Sequence, residues 1–467
     1  MKIYNSLSKT IEEFKPLNPP LITFYSCGPT VYNATHIGHL RTYINIDVLK
    51  RALLYFGYEV KHIINITDVG HLTGDDDTGE DKLEKEAKEI GKSVSNIANF
   101  YTDFFIKSLS LLNIIPPFKY IKATDHIQEM IDLIKKIESK GFTYETDEAV
   151  YFNTTKFDDY GKLSGQKLCE KKQGVRDEVI IDPQKKNPTD FALWFKTVKR
   201  FKDHVLHWPS PWGEGFPGWH IECSAMSMKY LGETLDIHAG GVDHLPVHHE
   251  NEIAQSESAT DKQFVKYWVH NEFLLINDKK MSKSLKNIFT IEDVQKKRFE
   301  TLSLRYLCLQ THYRQQMNFT WESLESAENA YKKLKETVIA LKKNSQVKNS
   351  ESDLKNIDYK ERFNEAISND LQIPQALSIM WEMLKSKLNP NEKLDLLLSF
   401  DKIFGLSLES VSLDKIPSHI LELAKERQAA RSKGDFKKSD ELRKQINKLG
   451  FEIEDLKKTF ELRKSTK

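Results

Sequence analysis

Cysteine is scarce in this chain: four among 467 residues, at positions 27, 169, 223 and 308, with no CxxC pair. Such wide separation does not suggest a disulfide framework, and in a reducing compartment it leaves core packing or metal ligation as the uses of each thiol. Long apolar runs are missing too. Nothing approaches the ~20 consecutive apolar residues of a membrane helix. Met1-Lys2-Ile3-Tyr4 leads into mixed polar sequence, without the apolar core of a secretory signal. A cytoplasmic protein with no membrane partner is the expectation. An excess of one charge is also lacking, since 69 Lys plus Arg face 68 Asp plus Glu. That excludes a uniformly basic nucleic-acid binder but not a local one. From Lys415 to Lys467 there are 15 Lys plus Arg against 9 Asp plus Glu, a net of +6. A solvated helical tail would look like this, and so would a small domain that touches phosphates.

What is present begins with a βαβ pattern. Leu21-Ile22-Thr23-Phe24-Tyr25 is β-branched and aromatic, as a buried strand requires. Gly28-Pro29-Thr30 interrupts it. A helix follows, with Leu40, Ile44, Val48 and Ala52 on one stripe and Gly57 as its stop. A second strand is expected from Tyr58 to Thr67, and a parallel α/β class follows. The stretch 118–203 mixes helical and strand-like pieces and reads as an insertion. The α/β pattern returns with a strand over Thr234–Ala239, a helix near His248–Ser258 and a strand over Trp268–Ile276. Beyond Ile291 the chain reads as helical. Leu324, Ala327, Tyr331, Leu334, Val338 and Leu341 mark one face of a bundle. Chain length points to about three domains.

Three constellations carry chemistry. His36-Ile37-Gly38-His39 opens the first helix, where backbone N–H groups and the positive helix end suit an anion and Gly38 permits close approach of a flat base or phosphate. Lys280-Met281-Ser282-Lys283-Ser284 offers two lysines on a polar loop that can close over phosphates as point charges. Cys27, Cys223, His248 and Glu252 supply two thiolates, an imidazole and a carboxylate, the last two at i and i+4 on one helix face. His249 and His244 are rival ligands. Asp75-Asp76-Asp77 with Glu80 and Asp81 reads as a solvated loop, and Cys169 and Cys308 as inert thiols.

The first two motifs, in this order and some 240 residues apart, match the HIGH and KMSKS signatures of class I aminoacyl-tRNA synthetases. With the cysteine, histidine and glutamate positions, the chain resembles the cysteinyl-tRNA synthetases along nearly its whole length. Further matching stretches are Tyr25 to Tyr32, Asn65 to Asp68, Asp190 to Trp194, Asp236 to His238, His312 to Arg314 and Lys433 to Phe436. Three positions depart from the usual form. Lys286 stands where glycine is common, Val69-Gly70-His71-Leu72 replaces an acidic run, and Leu462 takes the place of a tryptophan.

The resemblance implies a Rossmann-type parallel-sheet catalytic domain with an inserted connective domain, then an α-helical bundle and a small C-terminal anticodon-binding domain. The expected divisions are 1–117 and 204–290 for the two catalytic halves, 118–203 for the insertion, 291–320 for a stem-contact region, 321–412 for the bundle and 413–467 for the basic terminus. The implied partners are ATP with magnesium, L-cysteine and tRNA(Cys), and the implied state is a monomer. One zinc per chain would be held by Cys27, Cys223, His248 and Glu252. His36, His39, Lys280 and Lys283 would be catalytic, and Gly38 and Ser282 would join them in binding ATP. Thr67, Trp219 and Asp243 would bind the amino acid. Two other readings stand beside this one. A ligase joining cysteine to a small amine would have no use for the terminal helical and basic regions, and a non-catalytic RNA-binding or zinc-structured protein would not keep both ATP signatures.

Overall fold

A computed structural model describes residues 1–70, 72, 80–165, 182–282, 285, 287–344, 355–412, 417–455 and 460–464. Its centre is a five-stranded parallel sheet. In spatial order the strands are Lys119–Lys122, Glu59–Ile66, Leu21–Ser26, Leu235–Gly241 and Val265–Asn271. Numbered along the chain this is 3-2-1-4-5, the doubly wound order. The order reverses between Leu21–Ser26 and Leu235–Gly241, and the crevice beyond the carboxyl ends of those two strands is where such folds bind ligands. The first strand pairs with its neighbours from Leu21↔Glu59 to Ser26↔Ile64 and from Ile237↔Phe24 to Ala239↔Ser26.

Helix Ile37–Tyr55 follows the first strand and is buried on nearly every side. Leu40, Ile44, Val48 and Ala52 form its apolar stripe, and the remaining faces bury Arg41, Asn45, Asp47 and Lys50. Those polar groups find partners far along the chain. Arg305 Nη2 lies 2.6 Å from Asp47 Oδ2, both side chains without exposure, and Arg305 also donates to Phe404 O and Leu112 O. Removing one member of a buried pair of this kind costs ~3–5 kcal/mol. The helix therefore fastens the sheet to the helical half of the molecule.

The structure moves two of the expected boundaries. Lys119–Lys122, expected inside the 118–203 insertion, is the edge strand of the parallel sheet. The inserted antiparallel sheet comprises Thr143–Glu145, Ala149–Phe152, Phe191–Lys196 and Gly215–Pro217, so its last strand lies beyond residue 203. Both strands are three or four residues long, too short to show a period. The expected strand Trp268–Ile276 is in fact two. Val265–Asn271 closes the parallel sheet, while Leu274–Ile276 pairs with Met317–Phe319 instead.

Four helices follow: Trp321–Asn344, Lys355–Ser368, Ile373–Lys385 and Pro390–Phe404. In the first of them Leu324, Ala327, Tyr331, Leu334, Val338 and Leu341 are all buried, as the three-and-four spacing requires. Helices Ser418–Ser432 and Phe436–Lys448 and the hairpin Phe451–Asp455/Phe460–Lys464 share a small core of their own. Gly450, at φ +82°, turns the chain from the last helix into that hairpin. Leu462, the expected tryptophan position, is one of the apolar residues of this core. Among the described residues, no helix is long and apolar enough to cross a membrane.

Candidate active site and metal centre

The first strand ends at Ser26, and Cys27 is the first residue in the crevice, its N–H donating to Ala239 O of the fourth strand at 3.2 Å. The next residue has to be glycine. A Cβ on Gly28 would lie 1.5 Å from Asn65 O, and the Gly28 N–H donates to Asn65 Oδ1 at 2.6 Å. Cys223 comes from helix Trp219–Leu231 and His248 and Glu252 from helix His248–Thr260. One donor atom from each of Cys27, Cys223, His248 and Glu252 lies within 4.8 Å of all the others, and all four residues are buried.

A second set, Cys27, His238, His249 and Glu252, meets the same distance limit. The hydrogen bonds separate the two. His249 is engaged at both ring nitrogens, through Nε2 with Cys27 Sγ at 3.2 Å and through Nδ1 with His270 Nε2 at 2.8 Å. His238 Nε2 is engaged with Glu252 Oε2 at 2.9 Å. His248 is held through Nδ1 by His220 Nδ1 at 2.9 Å, which aims Nε2 inward. His248 Nε2 and Glu252 Oε1 lie 3.0 Å apart, yet neither has a hydrogen bond of acceptable geometry. Two buried ligand-type atoms that converge as an ion pair without a well-aligned hydrogen bond are what a tetrahedral cation site looks like from its ligands. His220 and His238 are then the groups that orient the ligands.

The charges agree. Burial alone would raise Cys223, but the Cys27 thiol and the His248 imidazole bring it down to about 6. Burial drives Cys27 the other way, well above the usual thiol range. Against burial, His238 and His248 hold Glu252 down to about 2. His248 is raised to about 10 by Glu252 and Cys223 despite burial. The four buried groups thus push one another's proton affinities apart, as acidic and basic ligands crowded around one point do. Two sulfurs, one nitrogen and one oxygen form a zinc-type donor set, and the residues fit that metal.

The phosphate-binding candidates occupy the other wall. His36 caps helix Ile37–Tyr55, its Nδ1 accepting from His39 N at 3.3 Å, and the two rings stack at 3.6 Å. Burial pulls His36 down to about 4 in spite of Asp243, so it is a neutral hydrogen-bonding group at pH 7. Gly38 meets the lysine loop directly: a Cβ there would lie 2.2 Å from Met281 Cε and 3.0 Å from His36 Nδ1. The end of that loop is tied to the helix start, Ile37 N donating to Phe289 O at 2.8 Å. Asn287 closes the loop on itself, Oδ1 accepting from Ser282 N at 2.9 Å and Nδ2 donating to Lys280 O at 3.1 Å. Lys280 Nζ lies over the Phe273 ring at 4.9 Å. Lys283 and Lys286 fall outside the described residues, as do His71, Asp75-Asp76-Asp77 and Cys169.

The amino-acid candidates line the space between. Trp219 stacks on His248, ring centroids 4.1 Å apart. Thr67 is buried, its Oγ1 donating to Glu222 Oε2 at 2.8 Å. Asp243 is exposed on the Val242–His244 turn after the fourth strand. Sequence reasoning gave no role to Glu222, His220, His238 or Arg41. Glu222 is fully buried, and burial with the neighbouring Cys223 raises its carboxyl well above the carboxylate range. Among the described residues Arg41 forms no ion pair, and it donates to four carbonyls, of Glu272, Phe273, His312 and Gln315.

Residues 13–329 match the family described as tRNA synthetases class I (C) catalytic domain. Residues 413–463 match a cysteinyl-tRNA ligase anticodon binding domain. A methionyl-tRNA synthetase of Mycobacterium tuberculosis, solved with methionyl-adenylate, shares the fold, with TM-score 0.58 and 14% identity over 86% of this chain and 94% of that one. The fold and the paired ATP signatures are those of a class I aminoacyl-tRNA synthetase. Curated relatives are closer. The cysteine–tRNA ligase of Treponema denticola is 45% identical over 97% of this chain and 98% of its own length. Cysteine–tRNA ligase 1 of Burkholderia lata is 41% identical over 97% and 95%. The chain belongs to the cysteine–tRNA ligase family.

Proposed function

We propose that this chain activates L-cysteine with ATP and transfers it to the 3′-terminal adenosine of tRNA(Cys), releasing AMP and pyrophosphate. The observation that carries this reading is the juxtaposition of two sites in one crevice. The Cys27, Cys223, His248 and Glu252 cluster lies beside the helix that His36 and His39 begin: Tyr43 of that helix donates to Cys27 O at 3.0 Å, and His244, its ring 5.3 Å from that of His248, acts electrostatically on His39. The family match at residues 413–463 supports the transfer RNA partner.

In the first step the cysteine carboxylate attacks the α-phosphate of ATP and pyrophosphate leaves. No protein nucleophile is needed, so positioning and charge stabilisation supply the rate. Neutral His36 and His39 at the helix N-terminus donate hydrogen bonds to the phosphates, and the loop lysines Lys280 and Lys283 offset the charge on the leaving pyrophosphate, with magnesium travelling on the nucleotide. In the second step the terminal adenosine hydroxyl attacks the acyl carbon and AMP leaves. Zinc, when bound by Cys27, Cys223, His248 and Glu252, supplies a Lewis acid for a thiolate and so separates cysteine from serine, which shape alone discriminates only ~10²-fold. Trp219 forms the pocket wall beside His248, and Thr67 and Asp243 bound the substrate on its polar side.

ATP–pyrophosphate exchange measured with each of the twenty amino acids, followed by charging of total transfer RNA, tests the reading. Exchange with cysteine alone and cysteine-specific charging are expected. Exchange with another amino acid, or exchange with cysteine but no charging, would overturn it; the latter is what a small-amine ligase would give.

A further inference from the structure

The turn between helices Lys355–Ser368 and Ile373–Lys385 is built around the carboxylate of Asp370, which has no solvent exposure. Its Oδ1 accepts from Tyr313 OH at 2.6 Å and Tyr4 N at 2.8 Å. Its Oδ2 accepts from Arg314 Nε at 2.8 Å and Nη2 at 2.5 Å. The Asp370 backbone is used as well: its carbonyl accepts from His312 Nε2 at 2.7 Å and its N–H donates to Lys2 O at 3.1 Å. Asp370 and Leu371 both adopt left-handed backbone, φ +55° and +52°. Two consecutive non-glycine residues in that region are strained and persist only where surrounding contacts determine them. Six hydrogen bonds to one residue do so here.

The far side of the same loop is held from the ATP site. Arg41, two residues past His39, donates through Nη2 to His312 O at 3.2 Å and Gln315 O at 2.6 Å. Through Nη1 it also holds Glu272 O and Phe273 O, just before the strand that leads to the lysine loop. An unbroken run of contacts therefore joins the phosphate-binding helix, loop 312–315 and the turn between two bundle helices.

We infer that Asp370 is a positioning residue that fixes the bundle at a set angle to the catalytic sheet, so that a transfer RNA held by the helical half presents its 3′ end to the adenylate. This rests on the reading proposed above. Amino-acid activation takes place within the sheet and does not depend on that angle, whereas transfer does. Asp370→Asn keeps an acceptor for Tyr313 and Tyr4 but loses the charged fork with Arg314. Arg314 is one-third exposed and can turn to water, so the fold survives.

Full-length parent, Asp370→Asn and Arg314→Gln are compared for ATP–pyrophosphate exchange and for charging of transfer RNA, with thermal melts alongside. Exchange within about twofold of the parent, with charging efficiency lowered about tenfold or more, is expected. Arg314→Lys, which keeps one ion pair, should recover part of the loss. If Asp370→Asn fails to fold, Arg314→Gln decides. Equal loss in both reactions would make the clamp merely structural and overturn the inference; so would no loss in either. A parent that exchanges but never charges would overturn the proposed function, and the inference with it.

Discussion

Substituting Gly38 by alanine should separate folding from activity. Gly38 lies in the first turn of helix Ile37–Tyr55 with φ outside the left-handed region, so alanine fits its backbone. Helix propensity favours alanine over glycine by up to ~1 kcal/mol, less in a first turn. Against that, the new Cβ would sit 2.2 Å from Met281 Cε and 3.0 Å from His36 Nδ1. Met281 Cε is the end of a flexible side chain and moves at little cost, and the His36 ring must give only a few tenths of an ångström. Folding should be unchanged or slightly improved. Nucleotide binding should suffer, because a methyl group holds a flat base or phosphate more than ~1 Å off the helix start, and a misplacement of that size costs ~10²-fold. Pyrophosphate exchange titrated with ATP should show a raised KM and a lowered kcat, about a hundredfold together, with an unchanged melting curve. Exchange within threefold of the parent would refute the reasoning, and so would a melting temperature lowered by several degrees.

Elemental analysis should find about one zinc per chain, lost in Cys223→Ala and retained in His249→Ala; zinc retained in the first variant and lost in the second would favour the rival ligand set. Lys283→Ala should slow adenylate formation far more than it weakens cysteine binding, as single-turnover kinetics can show. Lys50 is buried, with Nζ donating to Pro116 O at 2.7 Å, and burial lowers it to about 8 from 10.5, against the pull of Asp47. The folded state therefore binds fewer protons than the unfolded one between those values, and stability should rise as pH climbs from about 8 toward 10.5. Lys50→Met should remove that slope and, after the lost hydrogen bond is set against it, stabilise the protein by ~1–2 kcal/mol at pH 7 in chemical denaturation. Truncation before residue 413 should leave exchange intact, weaken transfer RNA binding and flatten its salt dependence, each lost phosphate contact removing ~0.7–0.9 from the slope; undiminished charging would make the basic terminus a solvated tail.

Local chemistry was legible in the sequence wherever neighbours along the chain decide it. The strand at Leu21, the helix stripe from Leu40 to Ala52 and the bundle face from Leu324 to Leu341 depend on periodicity alone, and each is where its pattern puts it. From residue types and spacing the metal-type cluster is only a list with rivals, and the family resemblance singles out His248; the physical ground for preferring it to His249, which ring nitrogen is already engaged, is not legible along the chain. Arg41 gave no signal, since its partners are carbonyls 231 to 274 residues away. Asp370 was silent for the same reason: Tyr4 N is 366 residues distant and Tyr313 is 57. The short strands Lys119–Lys122 and Gly215–Pro217 lie in other units than their sequence suggests because pairing partners, not their own residues, decide where they belong.

Those distant pairings also explain why two sites so far apart in the sequence can serve one small substrate. On the proposed function the substrate is cysteine, which spans only a few ångströms from sulfur to carboxylate, so a group that reads the thiol must lie beside the group that activates the acid. The strand order brings this about at its point of reversal. Cys27 follows the first strand and bonds to Ala239 of the fourth, which places the turn and helix carrying His244, His248 and Glu252 against the start of the helix that carries His36 and His39. Tyr43, on that helix, donates its hydroxyl to Cys27 O at 3.0 Å and fixes the two walls to each other. Gly240 lets the His249 ring pass within 2.8 Å of where its Cβ would be, so the fourth strand can sit that close. A change that shifted either strand end by one residue would move the cluster by ~3.3 Å along the strand, about the length of the amino acid itself. On the function proposed above, selection of the thiol and activation of the carboxylate are thus held together by the register of two adjacent strands.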